Sequence, residues 1–326
     1  GVFMRNHFIG IYAQYLQQYI DYKRQLGFKQ ETEEAILAVF DRFTVERGET
    51  RLGITPELSQ AWMKNGEGLS SSYNYHRAVL INQFASFLGN QGIRCYLMRL
   101  PVCKVDFAPH IYTRDELHRI FAAADNLRAR KGLRQIMFAI PSLIRLLYAT
   151  GLRSGEALAL SVKDVDLRDQ IIVVHDSKNG LERIVPISDS LTTVLRQYVS
   201  YRDRLPTSLI KEDRFFIALD GKRITQDCFS GWFQRLLSIA GIPHGRGVTA
   251  HALRHSFSVH SLAMMAEGGV DIYCCLPVLS TYLGHKTIES TNHYVRLVNT
   301  MFPDLLKNID RICINVFPNS TGYETH

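Results

Sequence analysis

The chain has no apolar stretch long enough to cross a bilayer. Its richest run, Ile136 to Leu152, is broken by Pro141 and Arg145 and falls short of the ~20 residues a transmembrane helix needs. The opening Gly1-Val2-Phe3-Met4 has no charged segment leading into an apolar core, so no secretory signal is expected. Six cysteines (Cys95, Cys103, Cys228, Cys274, Cys275 and Cys313) form no C-x-x-C pair and no regular framework. They are read as thiols of a reducing compartment, which makes the expected location cytoplasmic. No G-x-x-x-x-G-K-[ST] loop is there to cradle nucleotide phosphates. Internal repeats, low-complexity tracts and blocks of like charge are also missing.

What is present suits an ordinary globular protein. The 326 residues are 46% hydrophobic and 21% charged, and 38 Lys+Arg against 31 Asp+Glu leave a net +7. Such a chain can bury cores in about two domains of ~150 residues each, and mixed charge with plentiful aromatics argues against disorder. The positive balance permits a polyanionic partner without requiring one.

The first ninety residues read as a helical domain. Phe8, Ile11, Tyr12, Tyr15, Leu16 and Tyr19 recur at helical steps, and Gly27 ends their helix. Ile36, Leu37, Phe40 and Phe43 mark a second helix. Thr55-Pro56-Glu57 starts a third, with Thr55 as cap, and the serines at 70–72 open a fourth carrying Val79, Leu80, Phe84, Phe87 and Leu88 inward. Gly89, Gly92, Pro101 and Pro109 punctuate a linker expected over 91–112. Thr113-Arg114-Asp115-Glu116 is a capping box that opens a second domain. There, Ile171–Val174 and Arg183–Ile187 are β-branched runs joined through Lys178-Asn179-Gly180, a hairpin signal. Helices are expected at about 189–201, 226–240, 251–267, 272–283 and 287–296.

Four segments carry candidate chemistry. In Thr150-Gly151-Leu152-Arg153-Ser154-Gly155-Glu156 an apolar helix stops at Gly151 and sets Arg153 on a tight turn. Alone, Arg153 reads as a surface or ion-paired arginine that Glu156 could hold, and Lys178 at a hairpin tip reads as a solvated lysine. His251-Ala252-Leu253-Arg254-His255 places His251, Arg254 and His255 at i, i+3 and i+4. A zinc protease would need glutamate where Ala252 stands, and no third ligand is evident nearby. The last segment runs from Leu283-Gly284-His285 to Tyr294, one of 15 tyrosines.

In combination, the ordered set Arg153, Lys178, His251, Arg254, His285 and Tyr294, with its glycine-marked turns and hairpin, resembles the tyrosine recombinase or phage integrase family. The likeness spans nearly the whole chain and is closest to simple Xer- or Cre-like recombinases and transposon-type integrases without an arm-binding domain. It implies a mainly α fold with a small antiparallel β-sheet, arranged as a two-domain clamp around DNA. A helical core-binding domain (1–90) and the linker (91–112) would precede a mixed α/β catalytic domain (113–303), and a tail (304–326) would pack on a neighbouring subunit. The family cuts DNA by attack of a tyrosine on the scissile phosphate, giving a 3′-phosphotyrosyl link without metal, ATP or other cofactor.

The resemblance casts Tyr294 as nucleophile, Arg153 and Arg254 as forks on the non-bridging oxygens, and His251 and His285 as further donors, with His251 allowed a share in proton transfer. Lys178 would be the acid for the departing 5′-oxygen, with Glu156 and His255 in supporting roles. A phenol of pKa ~10 is only about a thousandth ionised at neutral pH, a deficit of about 4 kcal/mol, which nearby cations would reduce. Asp164, Asp166 and Asp169 are expected to close a turn rather than hold metals. Tyr73, Tyr75, His76 and Arg77 are candidate DNA contacts, and the expected partners are inverted-repeat core sites on double-stranded DNA and a homotetramer assembled there. The roles implied are DNA integration, recombination and transposition of a mobile element, with the protein nucleoid-associated. A type IB topoisomerase-like relaxing enzyme and a non-catalytic DNA-binding regulator are the alternatives. The turn Pro243-His244-Gly245-Arg246-Gly247 has no counterpart in the motif.

Overall fold

The computed structural model describes residues 8–28, 30–102, 109–127, 136–175, 182–206 and 213–284, together with Thr291, Tyr294, Val295 and Val298. The chain forms two compact units, Gly1–Phe107 and Ala108–His326.

The first unit is helical: α1 (Ala13–Gln25), α2 (Glu31–Glu46), α3 (Pro56–Lys64) and α4 (Ser71–Asn90). The caps anticipated from sequence are in place, since Thr55 Oγ1 accepts from the Leu58 amide at 3.1 Å and Ser70 Oγ from Tyr73 at 3.2 Å. Tyr12, Leu16, Tyr19, Phe40, Trp62 and Phe84 are buried in one aromatic-rich core. Both ends of the 91–112 stretch, where described, are packed. Asn82 bonds the Met98 amide and carbonyl at 2.9 and 2.8 Å, which seats Met98 in the first core. Tyr112 is buried in the second unit, and its amide donates to Ser256 Oγ at 2.8 Å.

The second unit packs helices around a small sheet. Its elements are α5 (Arg114–Asp125), α6 (Ile140–Thr150), α7 (Ser154–Ala159), β1 (Val165–Asp166), β2 (Ile171–His175), β3 (Glu182–Pro186), α8 (Asp189–Arg202), α9 (Gln226–Ile239), α10 (His251–Glu267) and α11 (Ile272–Leu283). The capping box is formed, with Thr113 and Glu116 bonding each other's amides. Helix α6 is the central element, its Leu143, Ile144, Leu146 and Leu147 fully buried and its flanks packed on α5, α8 and α10.

The sheet is antiparallel in the order β1-β2-β3, with Val173 opposite Ile184. Strand β1 is an addition to the expected hairpin, since two residues are too few to leave an alternating signature. The aspartates beside it close turns: Asp166 Oδ1 accepts from the amides of Arg168 and Asp169, and Asp164 accepts from Ser161 N and pairs with His175 at 3.0 Å. The turn at 243–247 is tied back to α9 by His244, whose ring nitrogens lie 2.6 Å from Gln234 Oε1 and 2.8 Å from Ser238 Oγ.

Candidate active site

Three pieces of the second unit converge on the N-terminal half of α10. The first is the α6–α7 turn. Gly151 ends α6 with φ +62°, and a Cβ there would overlap the Phe257 ring and approach Leu283 Cδ2 to 2.8 Å, so both conformation and space call for glycine. The turn aims the Gly151 carbonyl at α10 and starts α7 at Ser154, where Glu156 Oε2 accepts from the Arg153 amide at 2.8 Å.

Glu156 is the electrostatic centre of this corner. Arg153 donates from Nη1 to Oε1 at 2.8 Å, while Arg183 on β3 donates from Nη2 to Oε2 at 2.8 Å and from Nη1 to Oε1 at 3.2 Å. Burial alone would raise the carboxyl's pKa, but bonds from Arg183 and the Arg153 amide, with both guanidinium charges, hold it below the ordinary carboxylate value. Arg183 also donates from Nε to the Tyr282 carbonyl at 3.0 Å, tying β3 to α11. Sequence reasoning gave Arg183 no role. The one signal was a charged residue inside a β-branched run, and nothing in the sequence says where it points.

Arg254 is buried and donates to two helix-terminal carbonyls, from Nη1 to Gly151 at 2.7 Å and from Nη2 to Leu283 at 2.8 Å. These are acceptors that helix ends leave unmet. Desolvation, and secondarily the Arg153 charge, push its pKa down to about 10, so it stays cationic at neutral pH. His251, the first residue of α10, is exposed. Partial desolvation and the charges of Arg254 and Arg153 hold its pKa below the usual histidine value.

Tyr294 arrives from forty residues further along the chain. It is 2% exposed, packed with Val295 and Val298 on Val259, Leu262, Leu276 and Leu279. Its hydroxyl lies 2.9 Å from His255 Nδ1 and is bonded by Arg254 and Ser258. Burial raises the phenol's pKa, and the charges of Arg254 and Arg153 reduce the rise without cancelling it. In the structure as it stands, then, desolvation outweighs the cations expected to ease ionisation.

The structure thus brings together Arg153, Glu156, His251, Arg254, His255 and Tyr294. A family model for the phage integrase family matches residues 111–300, which contain all of them. The chain belongs to the phage integrase family.

By that membership it is a tyrosine-type recombinase. It is 29% identical to the integrase/recombinase-type protein y4rB of Sinorhizobium fredii over 92% of this chain and 96% of that one. To the tyrosine recombinase XerD of Caulobacter vibrioides it is 30% identical over 71% of this chain and 72% of that one. Two solved structures share the fold at low identity. The XerH site-specific recombinase, in a post-cleavage complex with palindromic difH substrate, aligns with TM-score 0.64 and 18% identity over 89% of this chain and 82% of its own. The Tn1549 transposon integrase, in complex with circular intermediate DNA, aligns with TM-score 0.65 and 18% identity over 86% and 94%.

Other site residues of this integrase-family chain fall elsewhere. Lys178 and His285 lie outside the described residues, as does the 304–326 tail. In the helical unit Tyr73 and Tyr75 are exposed and His76 partly so. Arg77 beside them is buried instead: its guanidinium lies 3.8 Å from the Trp62 ring centroid and donates to Asn74 Oδ1, Asn65 Oδ1 and the Trp62 carbonyl. It sits a hundred degrees round the helix from His76, on the face that meets α3. Among the described residues no group of three His, Cys, Asp or Glu side chains is gathered as for a metal ion, and no helix is long and apolar enough to span a membrane.

Proposed function

We propose that this protein is a site-specific DNA recombinase that cleaves and rejoins strands through a 3′-phosphotyrosyl link on Tyr294. The observation that carries this reading is the meeting of the Tyr294 hydroxyl with Arg254, inside a corner where Arg153 acts on both by charge. Attack forms a bond from the phenolic oxygen to phosphorus and breaks the bond to the 5′-oxygen, which leaves as a hydroxyl after taking a proton. Arg153, 40% exposed at its side chain, can turn free donors toward an incoming phosphate while Glu156 fixes the rest of the fork. Arg254, anchored by two carbonyls, supplies a fixed charge where negative charge builds. Lys178 is the proposed acid and His251 and His285 the further donors, on the family pattern. The covalent link conserves the phosphodiester energy, so a 5′-hydroxyl from another strand can rejoin the DNA.

DNA contact is assigned to the catalytic corner together with Tyr73, Tyr75 and His76 of the helical unit, on inverted-repeat core sites. A homotetramer on DNA, with residues 304–317 docking in trans, completes the proposal, and deleting 304–317 should abolish synapsis while sparing single-site binding. The deciding experiment uses a nicked suicide substrate carrying the core site. Wild-type protein should accumulate a covalent protein–DNA adduct, and Tyr294→Phe should form none while binding the same DNA with unchanged affinity. Adducts that persist in Tyr294→Phe overturn the reading.

A further inference from the structure

The phenol of Tyr294 is held in a defined hydrogen-bond arrangement. A guanidinium can only donate, so the bond from Arg254 makes the phenolic oxygen an acceptor there. Ser258 sends its own hydroxyl proton to the Arg254 carbonyl at 2.9 Å. The phenol's proton can then pass to Ser258 Oγ or to His255 Nδ1 at 2.9 Å. Of these only an imidazole can keep a proton near neutral pH. His251, one turn earlier on α10, meets His255 edge to face with ring centroids 4.7 Å apart, and it is the His255 ring that lies within hydrogen-bond distance of the Tyr294 hydroxyl.

We propose that His255, and not His251, takes the proton of Tyr294 when its oxygen attacks the scissile phosphate. The inference rests on Tyr294 being the nucleophile. As the Tyr294 oxygen–phosphorus bond forms and the phosphorus–5′-oxygen bond breaks, the phenolic proton passes to His255 Nδ1. The leaving oxygen takes a separate proton from its own acid, and in the rejoining step His255 returns the proton to the phenol. Among the described residues, the groups that bear on the charge of His255 include His251 and Arg254 on α10, Tyr294 opposite, and Arg153 and Glu156 at the α6–α7 turn, which act on His251 and Arg254. Burial holds the phenol's pKa up, so a base in contact with its proton is what attack from this pocket requires. The resemblance cast His255 in a supporting role, and its i+4 spacing from His251 fixes its place on the helix but not its contact with the last segment.

The test separates the two ends of the reaction. A suicide substrate with a 5′-bridging sulfur at the scissile phosphate releases a thiolate that needs no proton, so its single-turnover cleavage reports the tyrosine side alone. Wild-type cleavage should rise with pH and level off once His255 is neutral. In His255→Asn, whose amide can accept the hydrogen bond but not the proton, cleavage at pH 7 should fall about 100-fold. The variant's rate should keep climbing with pH, closing on wild type as the phenol ionises unaided. His251→Asn should retain the wild-type shape. His255→Gln serves as the second variant should the first fail to fold. A wild-type rate in His255→Asn, a deficit equal at every pH, or loss of the pH profile in His251→Asn each overturns the proposal. Adducts formed by Tyr294→Phe on this strand would instead overturn the assignment of the nucleophile.

Discussion

Arg183 grips both oxygens of Glu156, at 2.8 and 3.2 Å, and so joins a strand of the sheet to the turn that presents Arg153. Both side chains are about a tenth exposed. Arg153 therefore owes its position to an acid that is itself fixed from a distant strand, and β3 is coupled to α11 through the same guanidinium.

Removing that acid should leave a nearly buried cation without its partner. Glu156→Ala should cost about 3 kcal/mol, and Glu156→Gln less, because the amide retains one acceptor. Urea unfolding measures both. Cleavage of the suicide substrate should drop in each, with Arg153 no longer fixed.

Acid should weaken the same contact. The folded pKa of Glu156 lies below the ordinary value of about 4.5, so its stabilisation is complete above that value and is lost as pH falls through the folded pKa. Urea midpoints from pH 6 down to pH 3.5 should decline for wild type and decline less steeply for Glu156→Gln. Parallel slopes would remove Glu156 from the account of acid lability.

Gly151→Ala should destabilise the second unit by about 2–4 kcal/mol, combining a left-handed backbone with a methyl group forced onto the Phe257 ring. Because Arg254 donates to the Gly151 carbonyl, adduct formation should fall as well, even at temperatures where the variant stays folded. Thermal unfolding followed by circular dichroism gives the first measure, and the suicide substrate the second.

Neighbouring residues of α4 should divide cleanly. Arg77→Ala removes a guanidinium stacked on Trp62 and three hydrogen bonds, and should cost about 2 kcal/mol of stability in the helical unit. Tyr73→Ala and His76→Ala should stay within about 0.5 kcal/mol of wild type and weaken DNA binding instead. Binding of wild type should fall steeply with salt, as phosphate contacts require. A flat dependence in a fluorescence-anisotropy titration would count against phosphate contacts as its basis.

His175, at the root of the hairpin, should titrate above the usual histidine value, because its two nitrogens bond Asp164 and Glu182. Its contribution to stability is present below the ordinary pKa of about 6.5 and is lost as pH rises through the folded value. NMR titration of the ring should show a raised midpoint that Asp164→Asn moves down.

Local chemistry fixed much of this protein from sequence alone. The caps at Thr55, Ser70 and Thr113 formed because a side-chain oxygen two or three residues from an unmet amide has no better partner. The helices of the described residues largely followed from apolar spacing, although Phe8 and Ile11 of the first stripe precede α1, and the two longer strands followed from β-branched runs. Gly151 announced its turn because only glycine fits there. The family, too, was legible, since its polar residues keep their order along the chain.

What the order could not convey was contact. Arg183 meets Glu156 across 27 residues, Arg254 reaches carbonyls 103 and 29 residues away, and Tyr294 meets His255 across 39. None of these separations has a period. The direction of the Tyr294 pKa was likewise decided by packing, since the apolar cluster of α10 and α11 strips water from the phenol and the nearby cations do not fully offset that loss. In the same way Arg77, a DNA candidate by its neighbours, was turned inward by the helix rotation that puts it over Trp62. Sequence sets which groups are available, and the folded packing sets which of them lose water and meet.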